Sequence, residues 1–105
     1  MQLEDAVFRA LSDPSRRAIL ERLTRGEAAV KELTARFDIS QPAVSQHLAR
    51  LRSAGLVSER RHGRLVYYRV EPKGLRPLID WVAHYQEFWL KRLERLQALL
   101  KEMDE

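Results

Sequence analysis

Between Ser40 and Arg64 the chain gathers side chains suited to gripping a polyanion and to reading a pattern of hydrogen-bond donors and acceptors. Gln41, Ser45 and Gln46 fall within two turns of one helical segment. A Gln amide can pair bidentately with adenine N6 and N7, and a Ser hydroxyl can donate or accept at either kind of base pair. These three are therefore expected to read base edges in double-stranded DNA. Around them stand Ser40, His47, Arg50, Arg52, Arg60, Arg61, His62 and Arg64, groups that hold phosphate oxygens and so position a protein without specifying sequence. Arg64, near a hairpin tip, is expected to reach a minor groove, where narrow A·T tracts attract guanidinium groups. His47 is read either as a phosphate contact or as a packed ring bonded to backbone.

The charge distribution points the same way. In 105 residues, 19 Lys and Arg stand against 15 Asp and Glu, a net charge of only +4. Residues 36–69 alone hold seven Arg against Asp38 and Glu59, which leaves the flanking thirds near neutral. A local anion-binding face produces such a band, whereas a general solubility charge is spread. The chain has no Cys, which removes disulfides and thiolate metal sites. It carries no P-loop and no paired carboxylates placed for acid–base work. Ser45 and His47, two apart on a helix, point to different sides, so no enzyme is expected. Without a signal peptide or an apolar run of ~20 residues, a cytoplasmic location away from the membrane is expected.

Elements that could position these residues follow from the apolar spacing. Leu3, Val7, Phe8 and Leu11 form one helical stripe. Asp13 as N-cap with Pro14 at the first helical position opens a second helix with Ile19, Leu20 and Leu23 inward, ending at Gly26. Arg16 and Arg17 near its start lie against the helix dipole, which calls for an anion or carboxylate partner, or leaves two solvated arginines. Glu27 to Phe37 reads as a third helix with Val30, Leu33 and Phe37 inward. After Asp38-Ile39-Ser40, a fourth helix over 41–54 buries Val44, Leu48 and Leu51 and stops at Gly55. The period then falls to 2: Leu56–Arg61 and Leu65–Val70 read as two strands around a His62-Gly63 turn, a wing over 56–70. Val66, Tyr68 and Val70 share one face. Glu71 to Gly74 is a loop, and one long helix runs from about Pro77 to Met103. The fold class is thus mainly α (α+β): a winged helix-turn-helix of five helices, with a two-stranded β-hairpin wing between the fourth and the long C-terminal helix. The whole chain, 1–105, reads as one domain.

Several stretches together resemble one known family. Val7-Phe8-Arg9-Ala10-Leu11-Ser12-Asp13-Pro14-Ser15-Arg16-Arg17-Ala18-Ile19-Leu20, Ser40-Gln41-Pro42-Ala43-Val44-Ser45-Gln46-His47-Leu48, Leu51-Arg52-Ser53-Ala54-Gly55-Leu56-Val57 and Gly63-Arg64-Leu65-Val66-Tyr67-Tyr68-Arg69 are similar to the ArsR/SmtB family of bacterial transcriptional repressors. The resemblance implies a homodimer joined through its first and last helices, bound to a pseudo-palindromic operator and blocking transcription; control of its own operon is a further expectation. It also implies that Gln41, Ser45 and Gln46 face the groove. The family's thiolate site is missing, because Glu32-Leu33 follows Ala29, Val30 and Lys31 rather than a pair of Cys. Its site on the last helix lacks an Asp-x-His pair, whose place is taken by Pro72 to Gly74. No metal and no cofactor are therefore expected. Asp80, His84 and Glu87 share one helical face and stand as the alternative, a metal-responsive repressor.

Along the last helix Leu78, Val82, Tyr85, Trp89, Leu93, Leu96 and Leu100 recur in steps of three and four, widened by Trp81 and Phe88, which approaches a coiled-coil seam. The expected homodimer interface is Leu3, Val7, Leu78, Trp81, Val82, Tyr85, Phe88, Trp89, Leu93 and Leu96, carried by residues 1–12 and 75–103. Burial of the stripe within one chain is the other reading. Trp81, Tyr85, Phe88 and Trp89 serve either as packing or as the lining of a pocket for an apolar effector, and the sequence names no inducer. A protein-interaction module using this helix is the competing class; it has no need of a basic wing tip.

Overall fold

A computed structural model describes residues 3–104, with side chains from Asp5 to Asp104. Five α-helices and three short strands follow in chain order: α1 (Leu3–Ala10), α2 (Pro14–Leu23), β1 (Ala28–Ala29), α3 (Val30–Phe37), α4 (Gln41–Ser53), β2 (Val57–His62), β3 (Leu65–Val70) and α5 (Arg76–Met103), with a 3₁₀ turn over Pro72–Leu75 before α5. The winged helix-turn-helix read from the sequence is what the chain forms. No helix among the described residues is long and apolar enough to cross a membrane.

Local chemistry explains where the helices begin and end. Asp13 caps α2 by accepting from the backbone N–H groups of Ser15 and Arg16, at 2.8 and 3.1 Å. These bonds favour its ionised form, the one from Arg16 most of all, and hold its carboxyl below the ordinary range. Ala29 has no side-chain cap to offer α3, but the Glu32 carboxylate reaches back to accept from its N–H at 3.3 Å. Asp38 ends α3 in the left-handed region, φ 51°, a conformation that Asp tolerates better than most residues. Ser40 then caps α4 by accepting from Ala43 N–H at 3.2 Å, so that α3, three turn residues and α4 make one compact unit.

The core fixes how that unit stands. Val7, Ile19, Leu33, Val44, Leu48, Leu51 and Leu56 are fully buried, one or more from each of α1 to α4 and the last at the entry to β2. Each such side chain is worth about 1.5–3 kcal/mol, more than any single cap, so packing decides which face of α4 is left outward. The buried face of α4 is the expected one: Val44, Leu48 and Leu51.

The sheet departs from expectation in two ways. It has three strands, in the order β1-β3-β2, because Ala28 and Ala29 pair antiparallel with Tyr68 and Tyr67. This strand takes the first residues of what the sequence reads as a third helix, so α3 starts at Val30 rather than at Glu27. His62 belongs to β2 and pairs with Leu65, which moves the turn to Gly63-Arg64. Gly63 at φ 63° supplies the positive φ that a two-residue hairpin turn requires. Tyr68 and Val70 pack on the core from the inner face, as the alternation predicts.

Candidate nucleic-acid interface

Helix α4 presents one long outward surface. Successive residues turn by about 100°, so opposite the buried Val44, Leu48 and Leu51 lie Pro42, Gln46, Ala49 and Ser53, with Gln41, Ser45 and Arg52 along one edge and Arg50 along the other. Gln41, Ser45, Gln46, Arg50 and Arg52 are all exposed, and no carboxylate occurs in the helix. The three expected base readers thus share the outward side, with Gln46 nearest α1. His47 is half-buried at the flank of the packed face. Ser40 is engaged as the N-cap through its hydroxyl oxygen.

The arginines divide into two sets. The side chains of Arg50, Arg61 and Arg64 are exposed and make no hydrogen bond or ion pair among the described residues, and neither does that of His62. Arg52 and Arg60 are engaged. Arg52 Nη1 lies 3.0 Å from Glu59 Oε1, and Glu59 Oε2 accepts from the Tyr68 hydroxyl at 3.1 Å. This chain of contacts ties the end of α4 to both long strands. Half-burial, helped by the neighbouring Glu59, raises the Tyr68 phenol above its ordinary value. Arg60 meets Glu27 with two hydrogen bonds, Nη2 to Oε1 at 2.6 Å and Nε to Oε2 at 3.3 Å, and covers the Tyr67 ring at 5.1 Å from its centroid. The pair lowers the Glu27 carboxyl below its usual range and raises Arg60 further. Sequence reasoning missed both carboxylate partners; Glu27 lies 33 residues from Arg60, and no local signal joins them.

Arg16 has the carboxylate partner that one sequence reading called for, with Nη1 3.9 Å from Asp13 Oδ2, and both arginines also bond to backbone carbonyls. Arg16 Nε donates to the Ala10 carbonyl at 2.7 Å and Nη2 to the Arg9 carbonyl at 3.2 Å, while Arg17 Nη1 donates to the Leu11 carbonyl at 2.7 Å. Both guanidinium groups satisfy the open carbonyls at the end of α1, where the helix dipole is negative.

The residues expected to meet a second copy divide as well. Val7 is fully buried in the chain's own core, so its side chain is not available to a partner; α1 turns it inward against α4 and leaves Phe8 outward. Leu78 is half-buried against the same core. Trp81, Val82, Tyr85, Phe88, Trp89, Leu93 and Leu96 are exposed along α5. Phe8 stacks edge-on against Trp81 at 5.6 Å, which fastens α1 to the start of this surface. The Leu3 side chain lies outside the described residues. Asp80 is bonded to Arg76 at 3.2 Å and Glu87 is paired with Lys91 at 3.5 Å, and among the described residues no three His, Asp or Glu are placed to hold a metal.

Comparison with known proteins bears on this arrangement. Residues 13–59 match the family model described as bacterial regulatory protein, arsR family. The chain is 37% identical over 79 residues to the transcriptional repressor SdpR of Bacillus subtilis (strain 168), covering 75% of this chain and 88% of that protein. It is 43% identical over 96 residues to the HTH-type transcriptional regulator Rv2034 of Mycobacterium tuberculosis, covering 91% and 87% respectively. Among solved structures, an ArsR-like transcriptional regulator from Rhodococcus sp. RHA1 superposes with a TM-score of 0.72 at 30% identity over 92% of both chains.

Proposed function

The chain belongs to the ArsR family of bacterial regulatory proteins, DNA-binding transcriptional regulators with a winged helix-turn-helix, and from that premise we propose that it is a homodimeric repressor of a pseudo-palindromic operator. In this reading Gln41, Ser45 and Gln46 of α4 read base edges in the major groove. Arg50 and Ser40 hold phosphates beside that helix, with His47 at its flank. Arg61, His62 and Arg64 do so from the hairpin, and Arg64 enters the minor groove. Arg52 and Arg60 join them when phosphate displaces Glu59 and Glu27. The single observation that carries the reading is the sign of this surface. Arg50, Arg61 and Arg64 stand without a carboxylate partner among the described residues, beside a helix that has none.

The dimer rests on α5. From Ile79 onward its described residues are all exposed, with Trp81 48%, Trp89 51% and Leu93 53% exposed. Continuous apolar surface on that scale marks an interface, and a second copy of the same helix offers a matching stripe.

Selecting bound fragments from the source genome and sequencing them tests the whole reading. A two-fold site with half-sites about 34–36 Å apart, one helical turn, is the expected product. Gln46→Ala with Arg64→Ala should abolish its binding while the dimer persists. Binding that survives both changes, or a selection without any shared sequence, would instead favour a protein-interaction role for α5.

A further inference from the structure

An open groove of about 620 Å³ lies between α1, the start of α2 and the outward side of α4. That volume is within the range of small-ligand sites, roughly 300–1,000 Å³. Its floor is made of alanine methyl groups, which let the helices approach closely, and its polar lining is Arg9, Arg16, Gln46, Arg50 and Ser53. Among the described residues that line it, three carry guanidinium groups and none a carboxylate. Asp13 touches Arg16 at 3.9 Å without lining the groove. Arg16 is held in place from behind by the Ala10 and Arg9 carbonyls, so its orientation is set before anything binds. The Arg50 side chain makes no hydrogen bond or ion pair among the described residues and lies across the groove from α1. Planar forks of N–H donors arranged around a pocket, with an amide and a hydroxyl beside them, match the oxygens of a phosphate group.

We propose that this groove is an oxyanion site that takes a phosphate group, separate from the hairpin and reached from the α1 side. Its position gives it a consequence. Gln46 and Arg50 line the groove and also belong to the DNA-facing surface of α4, so an occupant there and an operator compete for the same two side chains. That regulatory half rests on the reading of α4 as the DNA-contacting helix. The phosphate has two possible sources, a small phosphorylated molecule or the backbone of DNA that extends past α4 toward α1.

Two measurements separate these sources. In the first, pyrophosphate is titrated into the full chain without DNA at constant ionic strength, and amide ¹H–¹⁵N shifts are followed. Saturable shifts at Ala10, Arg50 and Ser53, lost in Ser53→Glu, identify a small-molecule site. In the second, the salt dependence of DNA binding is compared for the wild type and Arg9→Gln. A slope reduced by about one per subunit, with no pyrophosphate shifts, assigns the groove to a backbone phosphate. Both substitutions are at exposed helical positions, and thermal melts followed by circular dichroism confirm that each variant folds. Absence of shifts together with an unchanged slope overturns the proposal. Should the wild type bind no DNA at all, the reading of α4 fails, while the pyrophosphate titration still decides the groove.

Discussion

Ser40 has two claims on its hydroxyl, and they can be pulled apart. Its oxygen caps α4 from 3.2 Å, and it stands at the end of that helix expected to face phosphate. Ser40→Ala should lower stability by about 1 kcal/mol in urea unfolding, the ordinary cost of a lost N-cap. Ser40→Asp keeps a capping oxygen and should retain that stability, yet weaken DNA binding by placing a negative charge toward the phosphates. Equal affinity for the two variants would remove Ser40 from the DNA surface. A second test concerns Arg60. Its partner Glu27 titrates below the usual range, so the pair is complete above the ordinary carboxylate value and is lost as pH falls through the depressed one. Near neutral pH, Arg60 is thus occupied before DNA arrives. Glu27→Gln should tighten DNA binding, because phosphate no longer has to displace a carboxylate from Arg60, with the change read by anisotropy at fixed KCl. An unchanged affinity would put Arg60 beyond the reach of DNA. The site was legible in the sequence to the extent that residue type and helical spacing define it. Gln41, Ser45 and Gln46 are exposed on one side of α4 because the apolar pattern alone fixes the other side. What was not legible is which arginines are engaged. The partners of Arg52 and Arg60 come from other elements, and, apart from Asp13 beside Arg16, those of Arg16 and Arg17 are backbone carbonyls that become available only once α1 ends beside α2.

Elements show the same limit in another form. α2, α4 and the hairpin carry their own caps, stops and periodicity, and the structure has each of them close to where those signals predict, with the hairpin turn one residue further on. Strand β1 has two alanines and no strand signal of its own. It exists because β3 offers a free edge to Ala28 and Ala29, and pairing across 40 residues is invisible to a local reading. The turn was displaced by one residue for a similar reason: the His62 pairing with Leu65 extends the ladder until Gly63, where positive φ ends it. Gly74 carries a further constraint at this scale. It lies in the 3₁₀ turn between β3 and α5, and a Cβ there would clash with the Gly55 carbonyl and sit 3.2 Å from the Leu56 Cα. The end of α4 and the start of α5 therefore meet backbone to backbone. Gly74→Ala forces one of them to move and should cost about 1–3 kcal/mol, the usual range for overpacking, measured by thermal or urea unfolding. The same displacement would tilt α5 relative to the DNA-facing unit, so DNA affinity should fall more than stability alone explains. A variant with wild-type stability would show that this contact is slack.

For the whole molecule, the decisive feature is the mismatch between its length and its core. The chain extends 64 Å along one axis against 30 and 23 Å along the others, because α5, at 28 residues, is about 42 Å long and leaves the core after Leu78. A helix exposed on all sides gains nothing from packing, and its aromatic stripe would remain in water; a second copy removes both problems at once. In the proposed homodimer, dimerisation would also set how tightly DNA is held: each subunit would bring one basic surface, and joining two would make the second contact intramolecular, raising affinity by about 10²–10⁴-fold. Leu93→Glu places a charge in the middle of the stripe, fifteen residues beyond the last side chain of α5 that touches the core. The folded unit should therefore survive, with an unchanged melt for residues packed between α1 and β3. Sedimentation velocity should show monomers at micromolar concentration, where the wild type should show dimers. Operator affinity should drop by at least about 10², while binding to nonspecific DNA at low salt, which needs only one basic surface, should change far less. If Leu93→Glu stays dimeric and keeps its operator, the stripe around Leu93 serves some other partner, and the two DNA-binding surfaces must be joined through α1 and the first turns of α5, where Phe8 and Trp81 meet.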